Sequence, residues 1–283
     1  MRLQIGARLF EGAGPFLMGV VNTTPDSFSD GGRYLALDAA VAHAERLAGE
    51  GADLVDLGGE STRPGAPPVS ADEELRRVVP VIERLRARGF RVPISVDTCK
   101  GVVARAAIDA GADLVNDVTG LSDPVLAAAV AAAGVPVVVM HMRGTPADMA
   151  SRAAYVDLLG EVADELRQAL ARAAAAGIPE ERIILDPGLG FAKTPAQTVE
   201  LMARVGELRA LGRPLLVGPS RKRFIGELTG APVEARLPGT LAAVTAAVLA
   251  GVEFVRVHDV APARQAALVA AALRKAGGRS DLR

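Results

Sequence analysis

The feature that most constrains the fold of this 283-residue chain is an alternation of short β-branched runs with longer segments rich in Ala, Leu and Arg. The short runs are almost continuously apolar, as expected for parallel strands buried on both faces. They predict strands at Phe16–Asn22, Leu54–Gly59, Pro93–Thr98, Leu114–Val118, Pro136–His141, Ile183–Gly188, Pro214–Ser220 and Phe254–Asp259. Parallel strands that alternate with helices build either a (β/α)8 barrel or an open, doubly wound sheet.

Helical segments follow the strands in turn, at Leu37–Gly49, Ala71–Arg88, Lys100–Ala110, Pro124–Ala133, Arg152–Ala176, Pro195–Leu211, Gly239–Ala250 and Pro262–Lys275. Several end in a glycine just before the next strand, where a left-handed cap is expected: Gly51, Gly89, Gly111, Gly134, Gly177, Gly212 and Gly251. No linker or charge block interrupts the series. We therefore predict an α/β fold, a single-domain (β/α)8 TIM barrel over residues 1–283 with a frayed tail at 276–283. The open sheet is the alternative.

Composition narrows the class of function. The formal net charge of -1 gives no electrostatic reason to bind nucleic acid or an anionic membrane. The single cysteine, Cys99, excludes an internal disulfide framework and suits a reducing cytoplasm. The chain opens on no signal peptide, and its longest apolar stretch, from Val125 to Met140, is broken by Gly134 and Pro136. We therefore expect a cytoplasmic protein that acts on small molecules, with neither nucleic acid nor membrane as a partner.

Polar side chains stand at or just past the carboxyl end of each predicted strand. In chain order they are Asn22; Asp56 with Glu60, Ser61, Thr62 and Arg63; Asp97; Asn116 and Asp117; His141 after Met140; Asp186; Ser220, Arg221 and Lys222; and Arg256 and His258. In a barrel these positions converge on one mouth. A buried charge without a partner is costly, so these groups either pair with one another or meet a ligand. We favour the ligand.

The loop within GVVNTTPDSFSDGG is unusually polar. Its residue types all favour turns, so an ordinary turn after a strand is one interpretation. Asn22 and Asn116 are the only two asparagines in the chain, which argues against casual use of this residue type. We therefore expect Asn22 to have a specific role.

The residue types at the mouth suit a flat polar heterocycle. Carboxylates such as Asp97 and Asp186 can accept two adjacent N–H bonds, and Asn116 supplies one donor and one acceptor. Lys222 stands between two arginines in a chain that otherwise prefers Arg, which suggests that a compact donor is needed there. A solvated lysine at a helix start is the alternative.

A second group, Arg63, Arg256 and His258, is interpreted as cationic and predicts a site for a phosphate or diphosphate. Asn22 offers an oxygen ligand of the kind that a hard cation such as Mg2+ prefers. The chain has no GxxxxGK[ST] loop, which argues against nucleoside triphosphate binding in that mode.

A series of motifs spans nearly the whole chain in this order: VNTTPDSFSDGG, DLGGESTRPGA, SVDTCK, NDV, MHMRGTP, LDPGLGFAKT, GPSRKRFIG and RVHDV. Together they closely resemble the dihydropteroate synthases of folate biosynthesis, far more specifically than any single motif. The resemblance implies a (β/α)8 barrel, usually a homodimer. Such an enzyme joins 6-hydroxymethyl-7,8-dihydropterin diphosphate to 4-aminobenzoate and releases diphosphate. Departures are mild: Arg143 stands where Gln is frequent, and Pro219 and Arg223 give the Ser-Arg-Lys element an unusual surround.

Matched position by position, the resemblance also implies residue roles. The pterin would be held by Asp97, Asn116, Asp186 and Lys222, with Met140 and Phe191 on its faces. Asn22 would ligate Mg2+, and the diphosphate would be held by Asn22, Arg63, Arg256 and His258. The 4-aminobenzoate would be received by Thr62, Pro64 and Ser220, where arylsulfonamides would compete. The residues implied as catalytic are Asp97, Lys222, Arg256 and Arg63, and the loops after the first two strands would act as flaps.

Three other functions share part of this pattern. A methyltetrahydrofolate-dependent methyltransferase would use a pterin-binding barrel, but it would not need the STRPGA and Ser-Arg-Lys elements or the Arg256 and His258 pair. An aldolase would use Lys222 to form a Schiff base, which requires a desolvated lysine with a lowered pKa. A non-catalytic pterin-binding protein would not need the complete set of diphosphate-binding residues.

Overall fold

A computed structural model of the chain describes residues 1–23, 33–63 and 65–277. Two antiparallel strands open the fold, β1 (Arg2–Ile5) and β2 (Arg8–Glu11). Eight parallel strands follow: β3 (Phe16–Asn22), β4 (Leu54–Gly58), β5 (Ile94–Asp97), β6 (Leu114–Asp117), β7 (Val137–Met140), β8 (Ile183–Asp186), β9 (Leu216–Val217) and β10 (Phe254–Val257).

The parallel strands form a barrel. Strands β3 to β8 pair in chain order, and β10 pairs with both β3 and β9. The remaining seam, between β8 and β9, is bridged at Leu185 and Leu215, and the Leu185 N–H donates to the Pro214 carbonyl at 2.9 Å. The barrel predicted from the alternating runs is confirmed, and the open sheet is wrong.

Helices cover the outside of the barrel. They are α1 (Arg33–Gly49), α2 (Ala71–Ala87), α3 (Gly101–Asp109), α4 (Pro124–Ala133), α5 (Leu158–Ala175), α6 (Pro195–Arg204), α7 (Arg223–Thr229), α8 (Leu237–Leu249) and α9 (Val260–Gly277). The glycines predicted as caps all adopt the left-handed region, from Gly134 at φ 65° to Gly111 at φ 110°. None of the helices in the described ranges is long and apolar enough to cross a membrane.

Several predicted boundaries were wrong for local reasons. The helix predicted from Arg152 begins only at Leu158, because the Asp157 side chain caps its first turn by accepting from the Gly160 N–H. The helix predicted to reach Leu211 changes to a 3-10 helix after Arg204.

Three further boundaries also differ. The seventh predicted strand, Pro214–Ser220, forms a strand only over Leu216–Val217, where it pairs with β10, and Pro219 has no N–H with which to extend the ladder. Helix α7 (Arg223–Thr229) lies between the seventh predicted strand and the helix predicted from Gly239, where no helix was predicted. Helix α9 runs to Gly277, so the predicted tail is helical over its first two residues, and 278–283 lie outside the described residues.

The amino end of the barrel is closed by the hairpin of β1 and β2, which the alternation of strands and helices did not predict. Phe10 is fully buried there, with its ring centroid 5.0 Å from that of Phe16 and 5.7 Å from that of Phe254. Arg8 pairs with Asp53, whose carboxylate also accepts the Leu17 N–H at 2.8 Å. The hairpin therefore plugs the end of the barrel opposite to the strand ends that carry the polar groups.

We expect Phe10→Ala to reduce the free energy of unfolding by about 3–5 kcal/mol, because it removes a large ring from a closed apolar layer. Leu9→Ala is the matched control: Leu9 is the adjacent residue on β2 and is 40% exposed. Urea unfolding of both variants measures the difference. Equal stabilities of the two variants would mean that the hairpin does not contribute to the core.

Candidate active site

A single cavity at the carboxyl ends of the strands brings together most of the predicted site. It is lined by Thr62, Asp97, Asn116, Val118, Met140, Asp186, Leu189, Phe191, Gly218, Lys222 and Arg256. Side chains alternate across a strand, so the apolar neighbours of these residues, such as Val96 and Val115, face the helices while the polar groups face inward. The strand period therefore places the acids, the amide and the cations inside the barrel.

Arg256 ties the polar groups together across the barrel. Its Nε donates to Asp56 Oδ2 at 2.6 Å, and its Nη2 donates to Asp97 Oδ2 at 2.8 Å. Asn116 Nδ2 donates to the same Asp56 oxygen at 3.0 Å. Asp56 was recognised as a strand-end acid but was not assigned to the site, and the structure places it beneath the cavity as the shared acceptor. Arg256, expected in the diphosphate group, lies in the deep cavity as well.

Burial changes the acid strength of both predicted carboxylates. Burial raises the pKa of Asp97 to about 7, against the effect of Arg256 and with the help of the nearby Asp56 charge. Burial likewise raises the pKa of Asp186 to about 6, although the Gly188 N–H, at 2.7 Å from Asp186 Oδ1, and the charge of Lys222 oppose the rise. N–H donors of a ligand would therefore stabilise the ionised form of both carboxylates.

Lys222 lies over the ring of Phe191, with Nζ 4.2 Å from the ring centroid. Burial lowers the pKa of Lys222 to about 8. The lysine is thus not the solvated residue of the alternative interpretation, and it meets one requirement of an aldolase. The charges of Asp186 and Asp97, however, favour the protonated form of Lys222, and the face of the Phe191 ring also favours a cation. Both effects suit a hydrogen-bond donor to a bound ring better than a Schiff-base nucleophile.

His258 and Ser220 lie together at the upper edge of the cavity. Ser220 Oγ accepts the His258 backbone N–H at 3.3 Å and lies 2.9 Å from His258 Nδ1, within hydrogen-bonding distance of the ring. Burial, aided by the charges of Arg256 and Arg221, lowers the pKa of His258 to about 4. The expectation that His258 is cationic is therefore wrong at neutral pH: it offers an N–H rather than a charge.

The remaining predicted residues belong to the rim. Asn22 is exposed at the end of β3, where it pairs with Gly58 of β4. Arg63 is exposed in the loop after β4, and it is near enough for its charge to lower the pKa of His258 slightly, after the larger effects of burial and Arg256. Pro64 and residues 24–32, which include most of the first predicted flap, lie outside the described residues.

Asn22 fits the kind of magnesium site that the sequence suggests. Mg2+ usually keeps several waters and binds through one or two carboxylates together with substrate phosphates, and the exposed amide oxygen of Asn22 is an oxygen ligand of the same hard type. In the part of the chain that the structure describes, no group of three or more His, Cys, Asp or Glu side chains could form a metal site without a substrate.

Sequence reasoning missed Lys193. Its side chain is buried, and its Nζ lies 2.8 Å from His141 Nδ1 and within 3.1 Å of two backbone carbonyl oxygens. The argument that singled out Lys222, a lysine in a chain that prefers Arg, applies equally to Lys193 and could have found it.

A barrel with this set of donors and acceptors defines a class of enzyme that binds a flat, polar heterocycle at the carboxyl ends of its strands. The profile of one family, described as pterin binding enzyme, matches residues 18–258. The chain belongs to this family.

Several relatives of the chain are named dihydropteroate synthase. The protein of that name from Synechocystis sp. is 45% identical over 274 residues, which are 96% of this chain and 94% of that protein. The Escherichia coli K12 dihydropteroate synthase is 46% identical and covers 87% of each chain. A Xanthomonas albilineans dihydropteroate synthase structure with 4-aminobenzoic acid has a TM-score of 0.90 and 50% identity, over 96% of this chain and 98% of that chain. A Yersinia pestis dihydropteroate synthase structure with a sulfonamide drug has a TM-score of 0.91 and 43% identity, over 98% of this chain and 100% of that chain.

Asp186→Asn should weaken binding of 6-hydroxymethyl-7,8-dihydropterin by about 2 kcal/mol or more, because an amide nitrogen would face a ring N–H. The change leaves an oxygen that can still accept the Gly188 N–H, so the local turn is retained. Calorimetric titration of the pterin measures the effect, with Asp164→Asn, an exposed aspartate on α5, as the control. Wild-type affinity in Asp186→Asn would remove this carboxylate from the pterin site.

Proposed function

We propose that the chain acts as a dihydropteroate synthase, a transferase that joins 6-hydroxymethyl-7,8-dihydropterin diphosphate to 4-aminobenzoate. The observation that carries this proposal is the convergence of Asp97, Asn116, Asp186 and Lys222 on one cavity, in a chain that belongs to the pterin-binding family. Relatives with this name are 45% and 46% identical over most of the chain.

The geometry supports a deep pterin site. The carboxylate of Asp186 would accept the paired N–H groups of the pyrimidinone edge, and Asn116 would supply one donor and one acceptor beside it. Lys222 would donate to a ring oxygen or nitrogen while Phe191 and Met140 pack on the faces of the ring.

The rim would hold the second substrate and the leaving group. Thr62, Pro64 and Ser220 would receive 4-aminobenzoate, the compound bound in the Xanthomonas albilineans structure. A sulfonamide drug is bound in the Yersinia pestis structure, which supports competition between arylsulfonamides and 4-aminobenzoate for this site. Arg63 and Arg256 would bind the diphosphate oxygens by charge, and His258 through its ring N–H.

In the proposed reaction, the bond between the pterin methylene carbon and the bridging diphosphate oxygen breaks, and its electron pair leaves with the diphosphate. The amine nitrogen of 4-aminobenzoate forms the new bond to the methylene carbon and then loses a proton to solvent. Mg2+ held by Asn22 would supply neutralising charge to the diphosphate oxygens when it is bound.

The arylamine is a competent neutral nucleophile, so the chain needs no activating Ser–His–Asp relay. Departure of diphosphate before attack would leave positive charge on the methylene and the ring. The ionised carboxylates of Asp97 and Asp186 can stabilise that charge, which favours a dissociative path.

We also propose a homodimer in the cytoplasm. Helix α9 presents Leu268, Val269 and Leu273, each more than half exposed, as an apolar surface that a second copy of the chain would cover. The single cysteine, Cys99, is free, which suits a reducing compartment.

The function is tested by measuring diphosphate release and dihydropteroate formation together. We expect both to require 6-hydroxymethyl-7,8-dihydropterin diphosphate and 4-aminobenzoate, and an arylsulfonamide to inhibit until excess 4-aminobenzoate relieves it. Release of diphosphate without any pteroate would contradict the transfer reaction. Transfer of a methyl group from methyltetrahydrofolate, or trapping of Lys222 by borohydride with a carbonyl substrate, would favour the other functions.

We expect 4-aminobenzoate to bind roughly 5- to 150-fold more tightly when Mg2+ and diphosphate are present. The reason is that the anion would gather four groups around it and so complete the 4-aminobenzoate pocket; they are Asn22, Arg63, Arg256 and His258. Arg63→Ala should shrink this difference while pterin affinity stays nearly unchanged, since Arg63 is exposed at the rim. Arg167→Ala, at an exposed arginine on α5, is the control. Calorimetric titration with and without both ligands measures the coupling; equal affinities in the wild type would mean that the second site is preformed.

A further inference from the structure

Lys193 is a buried lysine whose ammonium lies behind the pterin cavity rather than in it. Its Nζ is 2.8 Å from His141 Nδ1, 3.1 Å from the Gly188 carbonyl oxygen and 3.0 Å from the Phe191 carbonyl oxygen. The side chain belongs to a residue that is 7% exposed, and it does not line the cavity. No step of the proposed reaction uses Lys193.

The three contacts match the three donors of an ammonium group. Lys has three N–H bonds and no acceptor when it is charged, and each of its neighbours can accept. Glu165 Oε2, which only accepts, lies 3.0 Å from His141 Nε2 and therefore places the ring proton on Nε2. The ammonium form of Lys193, which only donates, selects the same tautomer of His141 through its contact with Nδ1.

The carbonyls that Lys193 holds belong to a turn that builds the pterin site. Gly188 and Gly190 have φ of 69° and 76°, and Ala192 has φ of 46°, a conformation that a residue with a side chain rarely adopts. The Gly188 N–H orients Asp186, and Phe191 carries the ring beneath Lys222. The turn has one hydrogen bond of its own, from the Phe191 N–H to the Gly188 carbonyl oxygen at 3.1 Å. Lys193 Nζ adds a second donor to that oxygen and a donor to the Phe191 carbonyl oxygen.

Burial of an ammonium is costly, and the charges around Lys193 are mixed. Burial lowers its pKa to about 7, while Asp186 of β8 and Glu165 of α5 oppose that change and Arg143 and Lys222 reinforce it. Removal of this ammonium alone would take a donor away from the Gly188 and Phe191 carbonyl oxygens and from His141 Nδ1, which is costly for buried acceptors. These bonds attach Lys193 to the turn that carries residues of the pterin site.

We propose that Lys193 is a positioning residue of the pterin site, which fixes the turn at residues 187–192 through two carbonyls and His141 so that Asp186 and Phe191 face the pterin. This inference rests on the proposed function, because it concerns the same ligand. Lys193 itself does not touch the substrate.

Lys193→Met, which keeps the length of the side chain and removes all three donors, should weaken 6-hydroxymethyl-7,8-dihydropterin binding roughly tenfold to hundredfold. Lys193→Gln, which retains two N–H donors, should lie between this variant and the wild type, and it serves if the Met variant does not fold. Lys275→Met, at an exposed lysine near the end of α9, is the control and should bind as the wild type does.

A spectroscopic measurement tests the arrangement without any ligand. The chain has three histidines, so 15N labelling of histidine gives few resonances to assign. The wild type should show His141 with a hydrogen-bonded, unprotonated Nδ1 and a protonated Nε2, and Lys193→Met should shift Nδ1 toward the value of a free acceptor. An unchanged His141 spectrum in that variant would overturn the contact.

The link to Asp186 is tested by a double-mutant cycle on pterin affinity. If Lys193 acts by orienting Asp186, the loss caused by Lys193→Met should be clearly smaller in the Asp186→Asn background than in the wild type. Equal losses in both backgrounds, or wild-type affinity in Lys193→Met, would refute the proposal. Failure of the wild type itself to bind the pterin would instead refute the proposed function, and the two failures are therefore distinguishable.

Discussion

The site depends on one half-buried guanidinium, that of Arg256, held between Asp56 and Asp97 across the barrel. A charge largely withdrawn from water is stable only when it is paired, so its partners fix the relative positions of β4, β5 and β10. Asn116 of β6 joins the same Asp56 oxygen. The inner surface of four strands is thus set by a single polar network, and the other binding groups are placed around it.

Around this network, the carboxylates of Asp97 and Asp186 can accept further hydrogen bonds from a ligand. Burial raises the pKa of both Asp97 and Asp186, so both hold protons more strongly than exposed aspartates do. The charge of Asp56 adds to the rise at Asp97, whereas the charges of Lys222 and Arg256 oppose the rise at Asp186. A heterocycle with several N–H groups can stabilise the ionised carboxylates of Asp97 and Asp186 in place of water. The burial that the barrel imposes on these carboxylates therefore favours a ligand of this kind.

The sequence predicted the barrel well because strands buried on both faces leave an apolar signature that does not depend on distant residues. It predicted the cavity residues because strand ends converge in any barrel. The hairpin at Arg2–Glu11 was missed although Gly6 in a two-residue turn was a local signal for it. The neutral state of His258 could not be predicted, since it depends on burial and on Arg221 and Arg256. The rarity of lysine in this chain could have singled out Lys193, but its partners, two backbone carbonyls and a histidine 52 residues away, could not be predicted from the sequence.

Proton exchange on binding tests most directly whether these buried carboxylates recognise the pterin. Calorimetry of 6-hydroxymethyl-7,8-dihydropterin at pH 6, in two buffers of different ionisation enthalpy, counts the protons that leave or join the complex. Because the pKa values of Asp97 and Asp186 are raised to about 7 and about 6, both carry protons in the free protein that N–H donors of the ligand must displace. We predict net release on the order of one proton, reduced in Asp186→Asn. Tight binding with no release, or with net uptake, would contradict recognition of the pterin by ionised Asp97 and Asp186.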